Sequence, residues 1–177
     1  MPTVSNTSPL IWLSKIGALD LLKDLFGEVL VPEEVYGEAV ERGLREGYSD
    51  ALIIKESFDQ GWIKVSNLGG KESDLCRKMM KHAYEIHLGE VQVIVLARKM
   101  GANTLLLMDE SSGRAFAEAW GLRVKGVLYV IVAALQRKLI DEAEAKEKLL
   151  ALVRKGFRID PNLLARVIRE IETSQGK

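Results

Sequence analysis

Cysteine is nearly missing from this chain: Cys76 is the single one among 177 residues, so no internal disulfide can form and nothing calls for an oxidising compartment. A reducing cytoplasm is the expectation. Proline is sparse as well, at four residues, and the fifteen glycines are scattered, which excludes collagen-like and low-complexity organisation. Charge of one sign is lacking, because 25 Lys and Arg meet 25 Asp and Glu and the isoelectric point is near 6.8. That balance excludes a protein held to nucleic acid chiefly by long-range attraction; any such substrate must be held by local sites. Long hydrophobic runs are absent too: the longest, Val127 to Leu135, is about half of the roughly 20 residues a membrane-spanning helix needs. The first ten residues carry no Lys or Arg ahead of an apolar segment, so neither a membrane anchor nor a signal peptide is expected.

What is present is an apolar fraction of 47%, ample for a core that offsets ordering entropy, in a length that suits one globular domain. Val4, between Thr3 and Ser5, reads as a short strand stopping at Asn6, with Ser8 as N-cap and Pro9 in the first helical turn. Helical spacing over Pro9 to Phe26, interrupted at Gly17, predicts two short helices. Val29 to Val31 is a second strand, and Pro32 opens a helix to about Glu41. The pattern continues with a helix over Tyr48 to Gln60, a strand over Trp62 to Ser66 and a helix over Lys71 to Tyr84. A buried helix over Glu90 to Met100 and a central strand over Thr104 to Met108 follow. Ser111 or Ser112 is the expected cap of a helix over Gly113 to Trp120, followed by a strand over Leu122 to Val124. Three last helices are expected over Val127 to Gln136, Asp141 to Lys155 and Asp160 to Glu172. Short strands alternating with helices imply a parallel α/β sheet covered on both faces, with ligands beyond the carboxyl ends of the strands.

Polar residues just after strands therefore matter most. Asn6 follows the first strand, Asp109 the central one, Glu38 lies within the helix after the second strand, and Glu90 opens the buried helix. Carboxylates crowded on one rim repel unless a cation intervenes, and oxygen-only ligands suit Mg²⁺ or Mn²⁺. From spacing alone, Glu38 reads as well as a solvated helix residue, Glu90 as a helix-dipole partner, and Asp109 as a cap or turn residue. His82 and His87 lack the ligand spacing of a zinc site, and His87 reads better as a loop or capping residue than as a substrate contact. Cys76 reads as a packing residue, and Trp12, Trp62, Trp120 and Tyr36 as core or interface residues. Arg77, Lys78, Lys81 and His82 form a basic face that suits either an RNA backbone or plain solvent. No phosphate-binding glycine loop follows a strand.

The segments SNTSPLIWLSKIGALDLLKDLFGEVLVPEEVYGEAV, HLGEVQVIVLARKMG and LLLMDESSGRAFAEAWGLRVKGVLYVIVAAL together resemble the small prokaryotic PIN-domain proteins, relatives of the VapC toxins. The terminal helices, with Gly156, Phe157 and Asp160, resemble the tail of that subfamily. The resemblance implies a three-layer α/β/α sandwich with a central short-stranded parallel sheet: a nuclease domain over 1–136 and a C-terminal helical extension over 137–177 packed on it. It also implies a Mg²⁺- or Mn²⁺-dependent endoribonuclease acting on single-stranded RNA, the toxin of a toxin-antitoxin pair, homodimeric and silenced by a small antitoxin protein. The family's acids fall on Asn6, Glu38, Glu90 and Asp109. Asn6 departs from the pattern, since an amide can coordinate but brings no charge, and Gln92 stands where such helices often carry a second acid. Glu110, Arg114 and the hydroxyls of Thr7, Ser8 and Ser112 are expected to assist or to meet phosphate; for Arg114 an ion pair with Glu118 is the competing assignment. The alternative function is a catalytically weakened PIN-like module that binds RNA or a protein partner. A phosphatase-like α/β protein ranks last, because Asn6 offers no nucleophilic carboxylate.

Overall fold

A computed structural model of the protein describes residues 1–81 and 86–173. Five three-residue strands, β1 (Thr3–Ser5), β2 (Val29–Val31), β3 (Ile63–Val65), β4 (Leu105–Leu107) and β5 (Arg123–Lys125), form one parallel sheet in the order β3-β2-β1-β4-β5. β1 lies at the centre, with Val4 opposite both Leu30 and Leu106. From β1 the chain winds outward to β2 and β3 on one side, and later from β4 to β5 on the other. The carboxyl ends of β1 and β4 therefore flank the point where the winding reverses, the place where open α/β sheets make crevices.

Helices cover both faces. On one lie α1 (Thr7–Lys15), α2 (Asp20–Phe26), α5 (Ser49–Asp59) and α9 (Val127–Gln136), with α1 touching α5 and α9, and α2 packed on β2 and α9. On the other, α7 (Leu88–Met100) packs against β1, β4, α6 (Gly70–Met80) and α8 (Ser111–Ala119). Val91, Val93, Ile94, Val95, Leu96 and Ala97 of α7 are buried, as are Leu105, Leu106 and Leu107 of β4, so the α/β/α layers share one apolar core. Each large apolar side chain buried there contributes about 1.5–3 kcal/mol through area removed from water. α10 (Glu142–Arg154) and α11 (Pro161–Thr173) pack on α9 and on each other. Trp12 of α1 meets Phe157, between α10 and α11, edge to face at 5.2 Å, which pins that loop to the α1 layer.

Several helix starts differ from expectation. Asn6, not Ser8, is the N-cap of α1: it is extended (ψ 172°), its N–H still pairs with Leu107 O at 2.9 Å, and the chain turns helical immediately afterwards. α7 starts at Leu88, so Glu90 is its third residue. His87 precedes it as N-cap and donates its backbone N–H to Glu90 Oε2 at 2.9 Å. The helix after β4 starts at Ser111 rather than Gly113, with Glu110 rather than either serine at the N-cap. The last strand is shifted by one residue, to Arg123–Lys125. The helix after Pro32 runs through α3 (Glu33–Tyr36), a π-helical turn (Gly37–Arg42) and α4 (Gly43–Arg45).

Asp141 and Asp160 cap the last two helices, with Asp141 accepting from Glu144 N, and Asp160 accepting from Asn162 N and Leu163 N. Cys76, Trp62 and Met79 are buried; Tyr36 stacks edge-on against Phe58 at 4.9 Å, and exposed Trp120 lies under Arg98. Of the basic face on α6, Arg77 pairs with Asp74, and His82 and Tyr84 lie outside the described residues. Among the described residues no helix is long and apolar enough to cross a membrane.

Candidate active site

At the carboxyl ends of β1 and β4 a cleft of about 230 Å³ is lined by Asn6, Thr7, Ser8, Ile11, Glu38, His87, Glu90 and Glu110. Its polar side chains come from four separate stretches: the β1–α1 junction, the π-helical turn after α3, the start of α7 and the β4–α8 junction. Glu38 lies on that π-helical turn, a local widening of the helix that recurs at functional sites. Its carboxylate Oε2 accepts a hydrogen bond from the Thr7 hydroxyl at 2.6 Å. Asn6, buried, donates from Nδ2 to Glu110 Oε2 at 3.3 Å, so the amide hydrogen faces a carboxylate across the cleft.

Glu90 is 5% exposed, and its Oε1 is buried with no hydrogen-bond partner among the described residues. Burial raises its carboxyl above the usual range, against the pull of the His87 N–H; the negative charges of Glu110 and Glu38 raise it further. A buried carboxylate oxygen without a donor is costly unless something positive meets it. Glycines make room for these groups. A Cβ added at Gly113 would stand 2.3 Å from Glu90 Oε1 and 2.6 Å from Met108 Sδ, whereas one at Gly89 would meet Glu38 at an ordinary 3.5 Å.

Asp109 neighbours Ser8 and Glu110, and its Oδ2, like Glu90 Oε1, is buried without a hydrogen-bond partner among the described residues. It is not among the residues lining the cleft; its Oδ1 accepts from Val127 N at 2.9 Å, placing the charge at the N-terminus of α9. Burial pushes its carboxyl up to about 6, with the Val127 N–H opposing, Glu110 adding to the rise, and Arg114 and the Ser8 hydroxyl lowering it. Ser8 thus lines the cleft on one side and touches Asp109 on the other. Arg114 donates from Nη1 to Met108 O at 3.0 Å and reaches Glu118 at 3.8 Å, so the expected ion pair forms alongside a backbone contact. Ser112 lies in the first turn of α8, outside the cleft.

The structure thus brings Asn6, Ser8, Glu38, Glu90 and Glu110 around one space and places Asp109 behind Ser8. Three carboxylates and an amide oxygen are the donor set of a hard divalent cation, and the unpartnered Glu90 oxygen agrees with one. Glu38 and Glu110 are each turned to a neutral donor, and among the described residues no group of three His, Cys, Asp or Glu side chains converges closely enough to hold a metal ion. The acids are held at the rim in an open arrangement. His87 is the capping residue expected of it, here on the cleft wall, whereas sequence reasoning missed the Thr7 bond to Glu38 and the glycines beside the acids. A hydroxyl directly after Asn6 and the glycines directly before Glu38 and Glu90 were the available signals.

A protein-family model described as DUF3368, PIN domain, matches residues 2–173. No curated protein and no solved structure matches the chain.

Proposed function

The chain belongs to the PIN-domain family, whose members are generally nucleases that use divalent metals, and from that premise we propose that it is an endoribonuclease cutting single-stranded RNA. The observation that supports this most is the cleft itself: Glu38, Glu90 and Glu110 at the topological switch point, with the Glu90 Oε1 atom buried and unpartnered. These three, with Asn6 Oδ1, would hold Mg²⁺ or Mn²⁺. Such an ion lowers the pKa of a bound water and neutralises charge developing on the scissile phosphate. Thr7 orients Glu38 through its hydroxyl, the Asn6 amide holds Glu110 at the rim, and His87 N–H fixes one Glu90 oxygen while the other lies buried beside Gly113. Asp109 anchors α9 to the β4 end and, with Ser8, supports the wall from behind.

The finer reading makes the protein the toxin of a toxin-antitoxin pair, working as a homodimer in the cytoplasm and silenced by a small antitoxin that covers this cleft. Its nuclease body is the segment 1–136, on which 137–177 forms a supporting extension. Purified protein incubated with labelled single-stranded RNA and Mn²⁺ tests the chemistry: cleavage is expected for the native chain and loss for Glu38→Gln and Glu90→Gln. Equal cleavage by all three would overturn the assignment.

One observation favours a second reading, a binding module with weakened hydrolysis. Asn6 spends its amide on Glu110 and removes one negative charge from the site. Replacing Asn6 by Asp separates the two, because a large gain in Mn²⁺ affinity and cleavage identifies a weakened catalyst, while no gain leaves the native amide as the competent group.

A further inference from the structure

Beside the acidic cleft, across Ser8 and Asp109, lies a larger groove of about 710 Å³ between β5, α9, α11 and the loop that follows α10. Its cations come from four separate places: Arg114 on α8, Lys125 at the end of β5, Arg158 in the loop and Arg166 on α11. Arg158 and Arg166 are exposed. Acids line it too: Asp109 takes the Val127 N–H on Oδ1 while its Oδ2 is buried without a hydrogen-bond partner among the described residues, Asp160 takes the first N–H groups of α11, and Glu170 accepts from Gln136. The groove thus sets four cations against three carboxylates turned to neutral donors, and its two exposed cations, Arg158 and Arg166, both stand on the C-terminal part of the chain.

Two features suit a nucleic acid strand over a folded protein. Aromatic faces stand among the cations, with Tyr129 carrying Lys125 over its ring at 5.5 Å and Phe157 fixed by Trp12. Such pairing of stacking surface with backbone charge is how single strands are held without base readout. The floor is also glycine: a Cβ at Gly126 would stand 2.3 Å from Asp109 Oδ1 and 3.3 Å from Arg114 Nη1, so the groove's floor packs directly onto the Asp109 wall only because no side chain intervenes.

We propose that this groove is the track for the RNA strand leaving the cleft, with Lys125, Arg158 and Arg166 on phosphates and Tyr129 under a base. The groove takes its substrate from the nuclease reading, but RNA binding there can be measured without cleavage. The C-terminal helices then serve as half of a binding surface, since Arg158 and Arg166 both belong to that part of the chain.

The test is fluorescence anisotropy of a labelled 12-mer single-stranded RNA in EDTA, titrated with the full chain across a salt series. Arg158→Glu with Arg166→Glu is expected to weaken binding about tenfold or more. The milder Arg158→Ala with Arg166→Ala is expected to flatten the salt dependence by about 1.4, since each phosphate no longer neutralised takes about 0.7 off the slope. Lys55→Glu, on α5 near the opposite edge strand β3, is expected to stay within twofold of the native chain. Native-like affinity and slope in a folded alanine variant would overturn the proposal, as would a native chain that binds no RNA. Tighter binding of polyglutamate than of RNA would overturn it in favour of an acidic protein partner. Binding through the groove without cleavage in Mn²⁺ would leave this proposal standing and remove the nuclease reading, whereas cleavage with an unchanged slope would do the reverse.

Discussion

Two neighbouring depressions share one wall and differ in character. The cleft is small and collects carboxylates from separate stretches of chain onto helix starts and the π-helical turn; the groove is three times as roomy and collects arginine and lysine onto the last strand and the C-terminal helices. Ser8 and Asp109 stand between them. The difference teaches that the neutral overall charge of this chain conceals a local separation of charge. In the cleft three acids meet no Lys or Arg and their repulsion can be relieved by one ion; in the groove four cations stand with three acids where successive phosphates can lie.

The sharpest way to break the comparison is to remove a cleft carboxylate. Glu38→Gln or Glu90→Gln should cost at least about 100-fold in RNA cleavage, because even partners that only orient a metal ligand are worth about 10–100-fold; gel assays in Mn²⁺ read this directly. Next comes the orienting hydroxyl. Thr7→Val should lower cleavage about tenfold with the melting temperature little changed, and a weaker apparent Mn²⁺ affinity should accompany the loss. Thr7→Ser should restore most of it.

Packing around the acids gives a third, smaller effect. Gly113→Ala should destabilise by about 1–3 kcal/mol, because its Cβ meets the Glu90 carboxylate and Met108 Sδ inside contact distance in a closed part of the fold. Gly89→Ala, with ordinary contacts, should sit far closer to the native melting temperature. The pair of thermal melts separates crowding from the general cost of changing a helical glycine.

The smallest effect is on the shared wall and depends on pH. Asp109 is raised to about 6 in the folded chain from 3.8, so protonation favours the folded state. Its stabilising contribution is complete below about pH 4 and is lost as pH rises through about 6. Asp109→Asn in EDTA should therefore be more stable than the native protein at pH 7.5, by at most about 1–3 kcal/mol. The advantage should vanish toward pH 4, as thermal melts across that range would show. A constant difference at all pH values would mean that the carboxyl is not the titrating group.

Much of the architecture was legible along the chain. Val29 to Val31 against Pro32, and Leu105 to Leu107 before two acids, carry short apolar runs with their own stop signals, so strand positions needed no tertiary knowledge. Helix starts were less legible. Ser8 and Ser111 are good caps by composition, yet each helix begins earlier because the preceding strand hands the chain over in an extended conformation that already serves as N-cap. The site was legible as a set of acids and illegible as a geometry. Asp109 and Glu110 are adjacent in sequence, and only the turn after β4 decides that Glu110 faces the cleft while Asp109 faces α9.

The sequence by itself determined the alternation of strands and helices, the apolar core and the residue types available for chemistry, since periodicity and punctuation are local properties of the chain. Tertiary structure alone decided which carboxylates share a space, which one is turned away to cap a helix, and that four scattered cations line a single groove. Those outcomes depend on the sheet order β3-β2-β1-β4-β5, which brings residues about a hundred positions apart to one rim, and no local pattern encodes it.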